Sequence, residues 1–484
     1  MLRASVIKTP GLKRHMTVAA QSSSKREGDI SDAFTSLSGA KREPLPDRFR
    51  QLKVDLARGK EKQIVESWKR LLRELKKENE IVAKKGPAVI PQIDYGDFKN
   101  GTSGLKEEIR KRGAVVVKGV IPESEARAYK EEVEEYVKKN PSTRAFPPND
   151  PQVYELYWSN PQLKARGHPN FLRVQHHLMS LLWHTSNPNS PISLDEPLIY
   201  ADRLRIRQPG DASFALGPHI DGGSVERWEK EGYGRGGVYD RVLEGNWEEY
   251  DPWDASGRVE AVNNLYDGLG PCSMFRMWQG WLTMSHTKPG EGTLQVNPLV
   301  KLSTSYVLLR PFFQAKRGRA SANYLDEENW EFMGIEGMDS ELQGATPGTG
   351  QECTVEQHPH LELEKTMVNV PEIRPGDFVA WHCDIDKLHA GKGDSSVMYI
   401  PVCPATKSNA EYMARQRDAW RHGTPPPDFP GGAGESRHVD RPSENSVRDR
   451  AARKAMGLDG MSVVEGMRPG ARVAVEASNA ALGF

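Results

Sequence analysis

The sequence predicts an α+β fold in which a β-rich core is flanked by helices. Short β-branched or alternating runs, separated by Gly, Pro and Asp turns, fill residues 198–310 and return at residues 367–403. Charged stretches with apolar residues at helical spacing lie on either side, at 48–85 and 409–422. A His-x-Asp motif at 219–221 lies between the strand patterns, and the rest of the predicted core is arranged around it.

The composition shows no bias towards polyanions or lipid. Lys and Arg together number 66, as do Asp and Glu, so the formal net charge is zero. No apolar run approaches the roughly 18 residues of a membrane span. The four cysteines form no Cys-x-x-Cys pair, which favours reduced thiols. We expect a cytoplasmic or alternatively mitochondrial protein that binds a small molecule, and neither nucleic acid nor membrane. The oligomeric state stays open.

The N-terminal part divides into a basic segment and a helical arm. Residues 1–47 are expected to be disordered, and the first 26 contain no Asp or Glu. Mitochondrial transit peptides and plain basic tails share this composition, so both interpretations stay open. Residues 48–104 are expected to form a helical arm packed on the core, with Ile64, Trp68 and Leu71 on its apolar face.

Residues 105–423 form the predicted core domain. The long irregular segment at 222–272 is expected to be a lid over the site, and the Gly- and Glu-rich segment at 315–365 a surface insertion. Residues 424–484 are expected to be a C-terminal tail.

Two local details of the core domain are testable. The apolar run from Val300 to Phe313 is ambiguous between helix and strand. A helix from Asn409 to His422 is expected to be capped by Ser408 or Asn409, and to end at Gly423.

The His-x-Asp motif is a candidate pair of metal ligands. A spacing of two places His219 and Asp221 on one side of an extended strand, and Gly222–Gly223 lets the backbone turn away after them. Non-haem Fe(II) enzymes hold iron with two His and one carboxylate on one face of the metal. The candidates for the second histidine are His286, His382 and His389. A His–Asp pair at a strand end can also satisfy itself by hydrogen bonding.

The stretch from Gly376 to Gly391, Gly-Asp-Phe-Val-Ala-Trp-His-Cys-Asp-Ile-Asp-Lys-Leu-His-Ala-Gly, resembles the distal-His region of phytanoyl-CoA-hydroxylase-like 2-oxoglutarate dioxygenases. In that pattern the later histidine is the ligand, which implies His389 and leaves His382 as an internal, non-ligand residue. More closely, residues 202–228 are similar to a YbiU-like family within that superfamily, as are 381–384. The resemblance covers roughly residues 105–420.

This resemblance implies a double-stranded β-helix, a cupin-like jelly roll, with helices around it. It implies that His219, Asp221 and His389 hold Fe(II), with 2-oxoglutarate and O2 as co-substrates. The implied reaction is hydroxylation or another oxidation of an unknown small-molecule substrate.

The chain departs from the superfamily pattern at one position. An Arg that pairs with the far carboxylate of 2-oxoglutarate is expected about eleven residues after the distal histidine, where this chain has Ile400. A carboxylate partner must then come from elsewhere. The candidate cations and hydroxyl helpers are Arg276, Arg205, Arg207, Ser396 and Tyr399. Two alternatives therefore stay open, a jelly-roll metal enzyme that does not use 2-oxoglutarate and a non-catalytic binding protein on the same scaffold.

Overall fold

The computed structural model of the chain describes residues 43–207, 217–268, 272–389 and 394–484, without the side chains at 388–389. Residues 1–42 of the basic segment expected at 1–47, and with them the transit-peptide hypothesis, lie outside these ranges. Within the described ranges, none of the helices combines the length and the apolar character needed to cross a membrane.

The described residues form a mixture of helices and short strands. The α-helices are α1 Arg48–Ala57, α2 Glu61–Lys85, α3 Tyr95–Phe98, α4 Lys106–Arg112, α5 Glu123–Lys139, α6 Asn160–Arg166, α7 Pro169–Ser180, α8 Asp240–Leu243, α9 Val300–Leu309, α10 Leu363–Thr366, α11 Lys407–His422, α12 Arg450–Ala455 and α13 Pro469–Leu482. The strands are β1 Gln92–Asp94, β2 Ala114–Lys118, β3 Ala145–Phe146, β4 Val153–Tyr154, β5 Ser193–Leu198, β6 Leu204–Arg205, β7 His219–Ile220, β8 Trp278–Thr283, β9 Leu294–Val296, β10 Phe313–Ala315, β11 Trp330–Phe332, β12 Gln351–Glu352, β13 Val368–Asn369, β14 Phe378–His382, β15 Lys387–His389, β16 Val397–Tyr399 and β17 Cys403–Ala405.

Two sheets make up the core. Among the described strands, the large sheet has the order β1-β2-β14-β8-β16-β6-β4-β3 and is antiparallel except for the β1–β2 pair. The small sheet has the order β12-β7-β15-β9-β13 and is antiparallel throughout. Helices flank both sheets, so the predicted α+β class is confirmed.

The Gly376–Asp377 turn before β14 has a physical reason. Gly376 has φ +93°, and a Cβ at this position would lie 2.0 Å from the carbonyl oxygen of Ile121. Only glycine fits such a left-handed and crowded position. The carboxylate of Asp377 accepts hydrogen bonds from the amides of Gly119 and Arg374, both at 2.8 Å. The turn therefore fixes where β14 begins between β2 and β8.

The N-terminal helices α1 and α2 are packed onto the core. The ring of Trp68 stacks on Phe313 at 4.4 Å and on Tyr306 at 5.3 Å, measured between ring centroids. Tyr306 belongs to α9, which shows that the ambiguous apolar run is helical as far as Leu309. The arm predicted from the sequence is therefore helical and buries its apolar face.

The segment from 315 to 365, expected as a surface insertion, supplies an edge strand of the small sheet. Its strand β12 pairs with β7, so that Glu352 lies opposite His219 in the ladder. An alternating apolar pattern is missing from this two-residue strand, which explains why sequence periodicity did not reveal it. The segment thus supports the strand that carries the His-x-Asp motif.

The C-terminal residues are integral to the fold. The amide of Asn409 donates to the side chain of Thr406, so Thr406 is the cap of α11, and the expected cap at Ser408 or Asn409 was wrong. Gly423 ends α11 with φ +72°, as predicted. Beyond it, Glu435 is fully buried and accepts hydrogen bonds from the amides of Tyr157 and Trp158. The residues expected as a tail are therefore packed against the body of the protein.

Candidate functional site

His219 and Asp221 come together at the end of β7. The Nε2 atom of His219 lies 3.3 Å from Oδ1 of Asp221. Nδ1 of His219 lies 2.6 Å from the carbonyl oxygen of Gly217, and a carbonyl can only accept, so Nδ1 carries the proton. Nε2 is then the ring atom that faces Asp221. The side chains of His219 and Asp221 therefore lie on the same side of the chain, as their two-residue spacing predicts.

Lys387 completes the immediate surroundings of Asp221. Its ammonium lies 2.5 Å from Oδ2 of Asp221, the oxygen turned away from His219. Burial opposes ionisation of this carboxyl, but Lys387, His219 and Arg276 outweigh it and hold the pKa of Asp221 well below its usual range. Asp221 is therefore ionised at neutral pH, and sequence reasoning did not identify Lys387.

His389 lies on the strand next to His219. In the ladder Lys387 pairs with His219, and His389 follows two positions later on β15, opposite Leu294 of β9. Residues two apart on a strand share a face, which places His389 at a register position on the face of Lys387. The side chain of His389 itself lies outside the described part of the structure.

The backbone after Asp221 is clamped in place. The carbonyl oxygen of Gly222 accepts hydrogen bonds from the guanidinium of Arg227 and, at 3.2 Å, from the hydroxyl of Tyr233. Gly223 has φ +71°, and a Cβ there would lie 2.8 Å from the ring of Tyr233. The two glycines therefore let the chain leave the strand directly after the motif, as predicted.

A polar cavity of about 670 Å³ opens beside this turn. Gly222, Cys383, Gln279 and Arg276 line it next to the motif, and the remaining lining residues come mainly from the 258–264 segment and from the start of α11. Cavities of this size hold small ligands. A larger surface cavity of about 820 Å³ between α2 and residues 247–253 contains none of the predicted site residues.

Of the predicted carboxylate partners, Arg276 is the one that lines the cavity within the described structure. Its guanidinium lies 5.7 Å from the ring centroid of Tyr200 and faces Asp221. Burial works against its charge, but Cys272, Tyr200 and Asp221 outweigh that effect and raise the pKa of Arg276. Arg276 thus stays charged at the cavity wall.

The other four candidates lie elsewhere on the large sheet. Arg205 is buried and donates to the side chain of Gln152 at 2.8 Å, and Arg207 is buried near Gly292. The hydroxyl of Ser396 donates to Asp394 at 2.8 Å. Tyr399 lies opposite Trp281, and burial raises the pKa of its hydroxyl. The structure therefore does not bring these four residues to the cavity with Arg276.

A second group of metal-type donors, His382, Cys383 and Asp384, lies within 4.8 Å among the described residues. Nε2 of His382 donates to the carbonyl oxygen of Pro252 at 2.9 Å, and Nδ1 accepts from the amide of Asp384 at 3.1 Å. Burial lowers the pKa of His382 to about 4 and raises that of the Cys383 thiol to about 12. Both ring nitrogens are used and the thiol is neutral, so this group does not fit a metal.

Asp384 anchors the 222–268 segment instead. Its carboxylate lies 2.9 Å from the guanidinium of Arg227 and 2.5 Å from that of Arg258, and it accepts a hydrogen bond from the hydroxyl of Tyr239 at 3.0 Å. Burial alone would raise the pKa of Asp384, but Arg258 and Arg227 hold it well below its usual range. The segment expected as a lid is therefore held at the end of β14 by these ion pairs, and it forms one wall of the cavity.

Asp386 is an isolated buried acid on the same connection. The residue is 1% exposed, and the groups that act on its carboxyl are the Cys353 thiol and the backbone amide of Lys387. Burial raises the pKa of Asp386 to about 8. Asp386 is therefore protonated in the folded protein at neutral pH, unlike Asp221 and Asp384.

This protonation predicts a pH-dependent contribution to stability. Between the unfolded pKa of about 3.9 and the folded pKa of about 8, the folded state holds a proton that the unfolded state releases. The free energy of unfolding of the metal-free protein should fall with rising pH in this window, by up to about 1.4 kcal/mol per pH unit from this group. Asp386→Asn should remove that part of the slope, measured by urea unfolding between these pH values. Equal slopes in both proteins would contradict the assignment.

The donors around β7 fit a divalent metal ion. Two ligand atoms at right angles, each about 2.1 Å from a metal, lie about 3 Å apart. The Nε2–Oδ1 distance of 3.3 Å between His219 and Asp221 is close to that value. An unprotonated imidazole nitrogen and an ionised carboxylate are the donor types that such metals take. His219 and Asp221 could therefore hold a metal, with His389 on the adjacent strand.

These features define a mixed α+β protein in which a large antiparallel sheet and a smaller one enclose a His–Asp pair beside a polar cavity. The chain matches the Gig2-like family over residues 43–458, and it belongs to that family. It is 33% identical to the Escherichia coli (strain K12) protein YbiU over 364 residues, which cover 71% of this chain and 80% of YbiU. The predicted YbiU-like relationship is therefore confirmed.

Solved structures share the fold. GlcNAc Inducible Gene 2, GIG2 (DUF1479), from Candida albicans has a TM-score of 0.81 and 32% identity, covering 92% of this chain and 96% of that chain. The hypothetical protein JW0805 from Escherichia coli has a TM-score of 0.72 and 30% identity, covering 86% and 99%. A Salmonella typhimurium LT2 protein provisionally assigned as an oxidoreductase has a TM-score of 0.71 and 28% identity, covering 86% and 99%.

Proposed function

We propose that this chain is an Fe(II)- and 2-oxoglutarate-dependent dioxygenase that hydroxylates or otherwise oxidises a small polar molecule. The observation that carries the proposal is the pairing of His219 Nε2 with ionised Asp221 at 3.3 Å, beside a polar cavity. His389 is the proposed third ligand because its strand is hydrogen-bonded to β7. The Salmonella typhimurium LT2 relative is provisionally assigned as an oxidoreductase, which is the class of enzyme proposed for this chain.

The strand order supports a jelly roll as the core. Along the chain, β6, β8, β14 and β16 lie in the large sheet, while β7, β9, β13 and β15 lie in the small one. Successive strands therefore alternate between the sheets, except that β9 and β13 are neighbours in the small sheet. A double-stranded β-helix is built by this alternation. We propose that these eight strands are that core, that β1–β4 and β12 extend its edges, and that the pairs β10–β11 and β5–β17 lie outside it.

The residues of the site would divide the work in the following way. His219, Asp221 and His389 would hold Fe(II), which together with 2-oxoglutarate and O2 supplies the oxidising power. In a hydroxylation, the substrate gains one oxygen atom of O2, and 2-oxoglutarate takes up the other as it is converted to succinate and CO2. The wall formed by Arg258 and its neighbours would shape the cavity and restrict water. Arg276 would face the anionic or polar end of a bound molecule.

The proposal is tested by reconstitution and turnover. Purified protein would be loaded anaerobically with Fe(II), the bound metal measured, and 2-oxoglutarate and O2 then added while succinate is quantified. We expect about one Fe(II) per chain and slow succinate formation even without the substrate. His219→Ala, which removes a proposed ligand, is the matched control and should show neither. Equal succinate formation by the wild-type and the control would refute the proposal.

One observation favours a second candidate, a jelly-roll metal enzyme that does not use 2-oxoglutarate. At the position where the superfamily pattern has an Arg, Ile400 is fully buried and its amide is hydrogen-bonded to Gly280, so no cation is present there. In the reconstitution experiment this candidate predicts bound Fe(II) without any succinate. The two functions are thus separated by the same measurement.

The choice of histidine gives a further prediction. His389→Ala should weaken Fe(II) binding by more than about 100-fold, since the loss of a direct ligand exceeds the 10- to 100-fold cost of losing a supporting residue. His382→Gln should change the affinity far less, because both nitrogens of His382 are engaged by backbone groups. Fe(II) affinity would be measured anaerobically by equilibrium dialysis on folded protein. The reverse order of effects would mean that His382 is the ligand.

A further inference from the structure

We propose that Lys387 is the residue that pairs with a carboxylate of the acidic co-substrate, an inference that rests on the proposed function and deepens it. Lys387 does not occur in the superfamily pattern described above, and its position was not apparent as a binding position from the sequence. Its ammonium lies 2.5 Å from Oδ2 of Asp221, inside the core and 8% exposed. Three features favour this pairing: the strand register of Lys387, the charges around its ammonium, and the aromatic ring that contacts it.

The register places Lys387 among the proposed ligands. It lies on β15 directly opposite His219 of β7, with Val296 of β9 on its other side. Because side chains two apart share a strand face, Lys387 and His389 occupy the same face. The cation is therefore built into the strand pair that carries the proposed metal ligands.

A metal ion bound by Asp221 would leave the Lys387 ammonium without a full counter-charge. Asp221 is the one carboxylate within ion-pair distance of Lys387 in the described structure. A divalent cation on Oδ1 of Asp221 would take up most of that single negative charge. A buried ammonium without a counter-charge is strongly unfavourable, and it has three hydrogen-bond donors to satisfy. An anionic ligand beside the metal would restore the balance.

An aromatic support holds the ammonium in this position. Nζ of Lys387 lies 5.1 Å from the ring centroid of Trp381, a buried residue of β14 in the large sheet. A cation over an indole face is stabilised by the ring electrons. The ammonium is thus held between Asp221 beside β7 and the indole ring of Trp381 on β14.

Arg276 is the second cation that faces Asp221, but its surroundings differ. Arg276 lines the cavity, whereas Lys387 is buried outside its lining and contacts Asp221 directly. A ligand that carries two carboxylates could therefore meet a cation at each side of the metal position. This arrangement favours a small dicarboxylate over a neutral or cationic co-substrate.

The experiment compares Lys387→Met and Lys387→Gln with the wild-type protein and with Lys53→Met. Lys53 of α1 is likewise a buried lysine, is paired with Asp339 at 2.7 Å away from the site, and serves as the matched control. Each protein would first be titrated anaerobically with Mn(II) alone, which reports metal binding without turnover. The metal-loaded proteins would then be titrated calorimetrically with 2-oxoglutarate and with 2-oxopentanoate, which lacks the far carboxylate.

We expect Mn(II) binding to be retained in both Lys387 variants and 2-oxoglutarate affinity to fall by about tenfold or more, the cost of one charge-assisted hydrogen bond. A loss confined to 2-oxoglutarate assigns Lys387 to the far carboxylate, and a loss for both ligands assigns it to the carboxylate beside the keto group. Unchanged 2-oxoglutarate affinity in folded Lys387→Met or Lys387→Gln would overturn the inference alone. Absence of 2-oxoglutarate binding by the metal-loaded wild-type protein would overturn the proposed function as well.

Discussion

Replacing Asp221 with alanine is expected to abolish Fe(II) binding while the protein stays folded. Asp221 is the ionised carboxylate beside Nε2 of His219, at 3.3 Å, whereas the nearby carboxylate of Asp384 is taken up by two guanidinium groups. Without Asp221 the site keeps at most its histidines, and the affinity should fall by more than about 100-fold, beyond the cost of a supporting residue. The measurement is anaerobic equilibrium dialysis against Fe(II).

Two further variants distinguish a loss of Fe(II) binding from a loss of folding stability. Asp221→Ala leaves the Lys387 ammonium buried without its partner, so the double variant with Lys387→Met removes both charges and should lose the metal equally. Asp195→Ala removes an exposed carboxylate paired with His176 at 3.1 Å, and it should keep full Fe(II) binding. Unchanged Fe(II) affinity in Asp221→Ala would remove Asp221 from the site.

Of the single substitutions proposed, Asp384→Asn should lower the free energy of unfolding the most. The carboxylate is 1% exposed and neutralises Arg227 and Arg258, which are themselves buried. Removing one partner of a buried ion pair leaves an uncompensated charge and costs about 3–5 kcal/mol. We expect Asp384→Asn to lower the free energy of unfolding by about this amount, measured by urea denaturation at neutral pH.

The matched control is Glu74→Gln, which breaks the exposed pair of Glu74 with Lys77 at 3.2 Å. Exposed ion pairs contribute little, so this change should stay within about 0.5 kcal/mol. The Asp384 variant should also become more sensitive to proteolysis within residues 222–268, because the wall loses its anchor. Equal stability of Asp384→Asn and Glu74→Gln would show that the buried cluster does not hold the segment in place.

Local patterns predicted a large part of this fold. The helical arm, the β14 strand after its Gly-Asp turn and the end of α11 at Gly423 all follow from short-range rules of periodicity and backbone conformation. The same rules place His219 and Asp221 on one side of β7, where the structure brings them together. Lys387 carried a comparable signal, a position two residues before His389, but this spacing of Lys and His is not a pattern of metal ligands.

The remaining features depend on contacts between distant parts of the chain. Asp384 meets Arg227 and Arg258 across 157 and 126 positions of sequence, and no local periodicity encodes such a meeting. For the same reason, the sequence could not distinguish Arg276 at the cavity from Arg205 and Arg207, since all three belong to strand regions with similar composition. The burial of Glu435 against Tyr157 and Trp158, 278 and 277 positions away, is equally non-local, and the C-terminal segment therefore looked like a tail.

We propose above all that His219, Asp221 and His389 hold Fe(II) and that the loaded site binds 2-oxoglutarate. The most direct measurement is an anaerobic titration of the metal-free protein with Fe(II), followed by 2-oxoglutarate, monitored by visible absorption. We expect a new charge-transfer band that saturates at about one 2-oxoglutarate per bound Fe(II) and is missing in Asp221→Ala. Tight Fe(II) binding without a band would contradict the use of 2-oxoglutarate, and failure to bind Fe(II) would contradict the metal site itself.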